Sequence, residues 1–198
     1  MAPRTYEMGR RAMASAETRR RIVDAAIAIH AEKGVLGTSW ADIARQADVA
    51  VGTVYRYFPS HDELVPACTS ENARRTRPPS SAMLAGATSP DRRVGRLVAE
   101  IFAYYERSAP WIPRANIDRR ELPVLDTILS QREARFQALV AESLGPLRRR
   151  RSALPAAMAL TDFGVWKSLN AGGLSTRAAA ELITDILMSW LNARSKHR

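Results

Sequence analysis

Residues 51–57, Val-Gly-Thr-Val-Tyr-Arg-Tyr, combine a glycine, several hydroxyl groups and one cation in a short segment. If the segment is an α-helix with Val54 at 0°, Phe58 falls at about 40° and Val51 at about 60°, and the three side chains share an apolar side. Gly52 and Arg56 fall at about 160° and 200°, on the opposite side. The outward side of the helix therefore places a residue without a side chain, Gly52, next to the guanidinium group of Arg56.

The side chains around this outward side suit a polyanion that offers both phosphates and the hydrogen-bonding edges of bases. Tyr55 and Thr53 flank it at about 100° and 260°, and Tyr57 lies nearer the apolar side at about 300°. Hydroxyl groups reach phosphates, arginine can fork onto a guanine edge, and glycine lets the backbone approach. An exposed surface helix whose tyrosines merely cover a core rim would show the same spacing. Both interpretations stay open, and the spacing favours a helix in a DNA major groove.

Short helices must position this segment. The sequence predicts a first helix from about Ala16 that stops at Gly34. Ser39 and Asp42 approximate a capping box at the start of a second helix, and Asp48 marks the turn after it.

The third helix is predicted from Val49 to Phe58, and Ser60 begins a fourth over residues 60–77. Three short helices in about forty residues form a helix-turn-helix layout. The predicted domains are a flexible basic arm over 1–15, carrying Arg4, Arg10 and Arg11, a helix-turn-helix domain over 16–62, and an α-helical domain over 63–198.

The rest of the chain is also helical by pattern, and no strand-like alternation or internal repeat is present. Ser89 and Pro90 begin one helix, residues 124–145 form the next, and residues 153–173 form a single apolar helix. Ser175 caps the last helix, and residues 108–116 form a loop bounded by prolines. The sequence predicts an all-α protein.

Charge favours a polyanionic partner: Lys and Arg outnumber Asp and Glu by 30 to 20, a net charge of +10. Residues 1–77 account for +3 (12 basic, 9 acidic) and residues 78–198 for +7 (18 basic, 11 acidic). The excess includes Arg148–Arg151, interpreted as a solvated loop, with an auxiliary phosphate contact as the alternative. Arg10, Arg11 and Arg19–Arg21 fit sequence-independent DNA contacts better.

Several other classes of protein lack support in the sequence. The single cysteine, Cys68, excludes an internal disulfide and fits a reducing compartment. No signal-peptide pattern or membrane-length apolar run is present, so a cytoplasmic location without membrane association is predicted. His30, His61 and His197 are scattered, and no phosphate loop or HExxH motif occurs, so no enzyme, metal site or cofactor is expected.

Residues 18–64 closely resemble the DNA-binding domain of the TetR family of bacterial transcriptional regulators. The resemblance rests on RIVDAAIAIHAEKG followed by GTSWADIARQADVAVGTVYRYFPSHDEL. It implies a helix-turn-helix head, an α-helical ligand-binding and dimerisation body, and a homodimer on a near-palindromic operator. The DNA-binding residues that it implies are Thr38, Ser39, Ala50, Val51, Gly52, Thr53, Tyr55, Arg56, Tyr57 and His61.

Three residues depart from the family pattern. His61 stands where lysine is frequent, which makes that phosphate contact weaker or dependent on pH. His30 replaces the usual phenylalanine and is interpreted as a core residue rather than a ligand. Asp48 replaces a turn glycine, which aspartate tolerates.

For the body, the resemblance implies an effector pocket and a dimer interface. Aromatic residues predicted to line the pocket, which could equally be plain core, are Phe102, Tyr105, Trp111, Phe136, Phe163 and Trp166. The stripe predicted to pair with a second copy consists of Leu182, Ile183, Ile186, Leu187 and Trp190. The expected function is a ligand-responsive repressor. A nonspecific architectural DNA binder and an enzyme in the helical body are the alternatives.

Overall fold

The computed structural model describes residues 3–193, with side chains from Met8 onward, and this part of the chain holds ten α-helices and no β-strand. The all-α prediction is confirmed. The helices are α1 (Pro3–Lys33), α2 (Trp40–Ala47), α3 (Val51–Tyr57), α4 (His61–Thr76), α5 (Pro90–Ser108), α6 (Ile112–Asp118), α7 (Pro123–Leu144), α8 (Ala153–Leu160), α9 (Phe163–Ala171) and α10 (Thr176–Ala193). Short 3-10 helices cover Ser81–Leu84 and Gly145–Arg149. The side chain of Arg4 and residues 194–198, including His197, lie outside the described part.

Two compact units make up the chain. The first contains the residues up to Arg75 together with Pro110–Leu129, and the second contains Thr76–Ala109 together with the residues from Ser130 onward. This division differs from the predicted boundary between residues 62 and 63. The reason is that Leu64 and Cys68 of α4 are buried in the same core as α1, and α6 also packs on α1.

The first unit holds the helix-turn-helix. Ile22 of α1, Ile43 of α2 and Val54 of α3 are buried against one another, and Phe58 closes the same core at 1% exposure. Burying each large apolar side chain contributes about 1.5–3 kcal/mol, so this small core stabilises the short helices α2 and α3, which would not be stable alone.

Local signals set most helix ends as predicted. Gly34 follows α1 with φ of 79°, and Asp48 ends α2 in the left-handed region with φ of 52°. Ser39 and Asp42 form the predicted capping box. The prediction for α1 was wrong at its start, because the helix begins at Pro3 rather than near Ala16. Alanine, methionine and arginine, which are strong helix formers, dominate the stretch before Ala16 and carry the helix beyond its core.

Three further helix predictions need correction. α3 begins at Val51, with Ala50 as its N-cap, rather than at Val49. The loop predicted around Trp111 contains α6, which has a proline in its first turn. The single helix predicted over 153–173 is broken into α8 and α9, because the Asp162 carboxylate accepts the Gly164 N–H and starts a new helix.

The second unit is built around α5 and α10, which pack along each other. Leu97 and Ile101 of α5 and Leu187 and Leu191 of α10 are fully buried. The predicted caps are confirmed here, since Ser89 Oγ accepts the Arg92 N–H at the start of α5 and Ser175 Oγ accepts the Ala178 N–H at the start of α10.

Candidate nucleic-acid interface

The exposed face of α3 contains the residues that helical phases turned outward. Tyr55 is 47% exposed, whereas Val54 is fully buried. Gly52 and Arg56 are also exposed, and a Cβ atom added at Gly52 would meet no described atom within 4 Å. Packing among the described residues therefore does not require glycine at this position. Its effect is to leave the backbone of α3 open to a partner.

The remaining α3 residues on the predicted list lie around this face. Val51 is 40% exposed although its phase placed it with the apolar side, because it begins the helix at the edge of the core. Ala50 is exposed as the N-cap, and Thr53 is half-buried.

Trp40 joins the exposed face to two neighbouring helices, a role that sequence reasoning missed. Its ring centroid lies 5.5 Å from that of Tyr55 in α3 and 5.4 Å from that of His61 in α4, on which it stacks at 24°. Aromatic pairs at this separation stabilise their mutual orientation by about 0.5–1.5 kcal/mol. Trp40 therefore restrains Tyr55 and His61, and a tryptophan in the first turn of α2 was the signal.

The two residues predicted at the start of α2 have different environments. Ser39 is exposed, and its Oγ accepts the Asp42 N–H at 3.0 Å. Hydrogen bonds from Ser39 and Arg45 lower the pKa of Asp42 to about 2. Thr38 is buried, and its hydroxyl donates to the Gly34 carbonyl at 2.6 Å. The Thr38 side chain thus faces the interior rather than the surface where a phosphate contact was predicted, because the turn after Gly34 needs its hydroxyl.

Tyr57 connects α3 to α1. Its hydroxyl and that of Ser15 are 2.8 Å apart and share a hydrogen bond. The guanidinium group of Arg56 lies 5.3 Å from the centre of the Tyr57 ring, within the range of a cation–π contact. Tyr57 therefore orients Arg56 as well as anchoring the end of the helix.

His30, in the last turn of α1, is buried. Burial, and secondarily the charge of nearby His61, lowers the pKa of His30 to about 4. The neutral imidazole is then the form present near neutral pH. Its burial agrees with the interpretation of His30 as a core residue.

Five of the six predicted pocket residues come together in the second unit. Tyr105 is the centre of the group, with its ring 5.4 Å from Phe163, 6.2 Å from Trp166 and 6.3 Å from Phe102. Tyr104, which was not predicted, links this group to Phe136 through an edge-on contact at 5.5 Å. The Tyr105 hydroxyl donates to the Thr161 carbonyl, and burial raises the Tyr105 pKa beyond its usual range.

Trp111 belongs to the first unit and packs on its core. Its indole N–H donates to the Ile27 carbonyl of α1 at 3.0 Å. The prediction rested on a proline-bounded loop, but α6 lies against α1, and α1 supplies both an apolar surface and a hydrogen-bond acceptor for Trp111.

A groove of about 750 Å³ runs between α5 and α10 in the second unit. Its lining combines small side chains such as Ala99 and Ala180 with charged residues, among them Glu106 and Asp185. Thr176 connects the groove to the aromatic group, since its hydroxyl bonds both Glu106 and the indole N–H of Trp166. None of the six predicted aromatic residues lines this groove.

The apolar stripe of α10 is divided between two faces. Ile183 and Leu187 are buried within their own unit, at 3% and 0% exposure. Leu182 and Ile186 are 39% and 45% exposed, and Trp190 is half-buried. The surface left for a second copy is therefore narrower than the five-residue stripe that was predicted.

Among the side chains of residues 8–193, no cluster of histidine, cysteine and carboxylate groups could hold a metal ion. None of the helices in the same part of the chain combines the length and apolar character that a bilayer crossing requires.

A family model described as "Bacterial regulatory proteins, tetR family" matches residues 22–68. The matched segment contains α2 and α3 whole, together with the last part of α1 from Ile22 and the first half of α4.

Two relatives illustrate how the likeness is distributed. The HTH-type transcriptional repressor KstR of Mycolicibacterium smegmatis is 40% identical over 96 residues, which cover 48% of this chain and 47% of that protein. The match to this relative thus spans less than half of its length. The HTH-type transcriptional regulator BetI of Burkholderia thailandensis is 29% identical over 180 residues, covering 85% of this chain and 91% of that protein.

A solved structure extends the likeness of fold to both units. A transcriptional regulator from Rhodococcus sp. Rha1 matches with a TM-score of 0.67 at 17% identity, covering 89% of this chain and 96% of that one. The predicted fold, a helix-turn-helix domain followed by a helical domain, is confirmed.

Proposed function

Because this chain belongs to the tetR family of bacterial regulatory proteins, we propose that it represses transcription by binding an operator through α3. The observation that carries the proposal is the exposed face formed by Gly52, Tyr55 and Arg56 inside the family-matched segment. Open space over Gly52 supports a close approach of the α3 backbone to DNA. Arg56 then contacts a base edge in the major groove, and the Tyr55 hydroxyl reaches a phosphate.

The proposed operator complex contains two copies of the chain. The exposed Leu182 and Ile186 of α10 support a homodimer, since large apolar side chains on a terminal helix gain stability when a symmetry mate covers them. Two recognition helices related by a two-fold axis bind half-sites about 34 Å apart, so the operator is expected to be a near-palindrome.

Release is proposed to follow binding of a small molecule in the second unit. The aromatic group around Tyr105 and the groove beside it support this placement, because Thr176 joins them through hydrogen bonds. A ligand that binds one conformation of the dimer more tightly shifts the population toward it and weakens DNA binding by the same coupling energy. The effector is expected to be released without chemical change, whereas the enzyme alternative predicts turnover of the bound ligand.

Selection of bound duplexes from a random pool at near-physiological salt tests the DNA-binding proposal. We expect an inverted repeat, and Arg56→Ala should weaken binding to it by about 1–3 kcal/mol for each half-site and relax the preference at one base pair in each. Arg135→Ala is the matched control, because Arg135 is an exposed arginine of the second unit. A recovered pool that stays random would contradict the repressor proposal and favour architectural DNA binding.

A further inference from the structure

α1 continues well beyond the core that its other end helps to form. Ile22 and Ala26 on one face of α1 are fully buried in the first unit. At 100° per residue, Ser15, Arg11 and Met8 lie on that same face, within about 60° of one another. Met8 is 63% exposed and Arg11 is exposed, so the face that builds the core is left open in the preceding turns.

This open face is tied to the end of α3. Ser15 bonds the Tyr57 hydroxyl at 2.8 Å, and the Arg19 guanidinium lies 4.8 Å from the Phe58 ring centre on the same side of α1. Arg11 is one helical turn before Ser15, a distance of about 6 Å along the axis. The exposed face of α1 is therefore continuous with the proposed DNA-binding face of α3.

The charge on this exposed face of α1 matches a polyanion. Arg11 has no hydrogen-bond or ion-pair partner among the side chains described from Met8 onward. Among the side chains described from Met8 onward, the acidic one nearest to Arg11 in this helix is Glu17, which is paired with Arg20 at 2.6 Å. An arginine held at the edge of a DNA-binding face suits a phosphate of the neighbouring backbone, which is where such contacts supply affinity without sequence preference.

We propose that residues 8–15 of α1 form a second DNA contact, in which Arg11 binds a phosphate of the duplex beside the half-site held by α3. The inference rests on the proposed function, since it extends the same interface. It gives a role to turns that are helical and exposed and contribute nothing to the core. A phosphate contact requires only a cation, so Arg11→Lys should retain most of the effect and Arg11→Ala should remove it.

The test uses the full-length protein, the selected operator and salt titrations of its affinity. Removing one phosphate contact reduces the slope of log K against log salt by about 0.9, which gives about 1.8 for both halves of a dimer. We expect this reduction for Arg11→Ala, with unchanged preference for operator over unrelated duplex, and wild-type slopes for Arg11→Lys and Arg135→Ala. Removing the base pairs outside the half-sites should weaken operator binding by the wild-type protein more than operator binding by the Arg11→Ala variant.

Two distinct failures separate the inference from its premise. If wild type binds the operator specifically and Arg11→Ala retains the wild-type salt slope, the second DNA contact is absent and the inference is overturned. If wild type shows no sequence preference, the repressor proposal fails, and the slope for unrelated duplex then measures the Arg11 contact by itself. Arg11→Ala is expected to unfold at the wild-type temperature, so a smaller slope cannot be attributed to unfolding.

Discussion

Asp118 of α6 accepts a hydrogen bond from the backbone N–H of Val35 at 2.5 Å, although the two residues are 83 positions apart in the chain. Both are buried, so the carboxylate satisfies a donor that water cannot reach. A second bond, from the Trp111 indole to the Ile27 carbonyl, joins α6 to α1 in the same unit. These two contacts explain why residues 110–129 belong to the first unit.

Asp118→Ala should destabilise the protein because it leaves the Val35 N–H buried without a partner. The expected cost is about 1–3 kcal/mol in the free energy of unfolding, measured by chemical denaturation. Asp126→Ala is the control, since Asp126 is half-exposed and pairs with Arg119 at the surface, where such pairs contribute about 0–1 kcal/mol. Equal losses of unfolding free energy in the two variants would show that the buried hydrogen bond stabilises the protein no more than the surface ion pair does.

Gly34→Ala should cost more stability than Gly86→Ala. Both glycines have positive φ, 79° and 72°, so both alanines carry the left-handed penalty of about 1–2 kcal/mol. At Gly34 the added Cβ would also meet Asp118 Oδ2 at 2.6 Å, whereas at Gly86 it meets no described atom within 4 Å. The clash should add roughly 1–3 kcal/mol, measured from unfolding free energies. Identical losses would indicate that α6 yields without cost.

Gly52→Ala should separate stability from DNA binding. Alanine in an exposed helix is favoured over glycine by about 0.5–1 kcal/mol, and the added Cβ has open space, so the melting temperature should rise. Operator affinity should fall, because the methyl group stands where the backbone of α3 is proposed to approach the DNA. If the Gly52→Ala variant binds the operator with wild-type affinity, the proposal that the α3 backbone approaches the DNA closely at this position is wrong.

Stability should fall as pH is lowered from about 6.5 toward 4. Burial lowers the folded-state pKa of His30 from 6.5 to about 4, so the unfolded chain takes up a proton that the folded chain does not. The loss is up to about 3 kcal/mol across that window, with no contribution above pH 6.5 or so. Thermal unfolding at a series of pH values should show this loss of stability in the wild type, and the loss should be absent in His30→Phe.

His61→Gln is the control for that series. It should keep most of the pH dependence, because burial rather than the charge of His61 is the main cause of the low pKa of His30. If His30→Phe and wild type lose stability in parallel, another group titrates in the window and His30 is not responsible.

Ile186→Asp should yield a folded monomer if the exposed face of α10 joins two copies. A charge at a position that is 45% exposed in one copy is tolerated alone but costs several kcal/mol of association when a partner covers it. Ile183→Asp should instead prevent folding, since Ile183 is buried in its own unit. Light scattering after size-exclusion chromatography measures the mass, and a dimer of the Ile186→Asp variant would exclude this face.

Features that depend on neighbours in the chain could be predicted. Helix caps and turns act over three or four residues, so the Ser39–Asp42 box, the left-handed Asp48 and the stop at Gly34 followed from the sequence. The outward face of α3 followed from helical periodicity, which turned Gly52 and Arg56 away from Val54.

Features that depend on distant partners were decided by the tertiary structure. Trp111 lies on α1 because the Ile27 carbonyl offers its indole an acceptor, and the stripe of α10 is split because α5 covers only one side of it. Trp40 restrains Tyr55 and His61 from a third helix, and Thr38 turns inward to Gly34. Periodicity states which residues share a face of a helix, but burial of that face depends on which other helix meets it, and only the folded chain determines that.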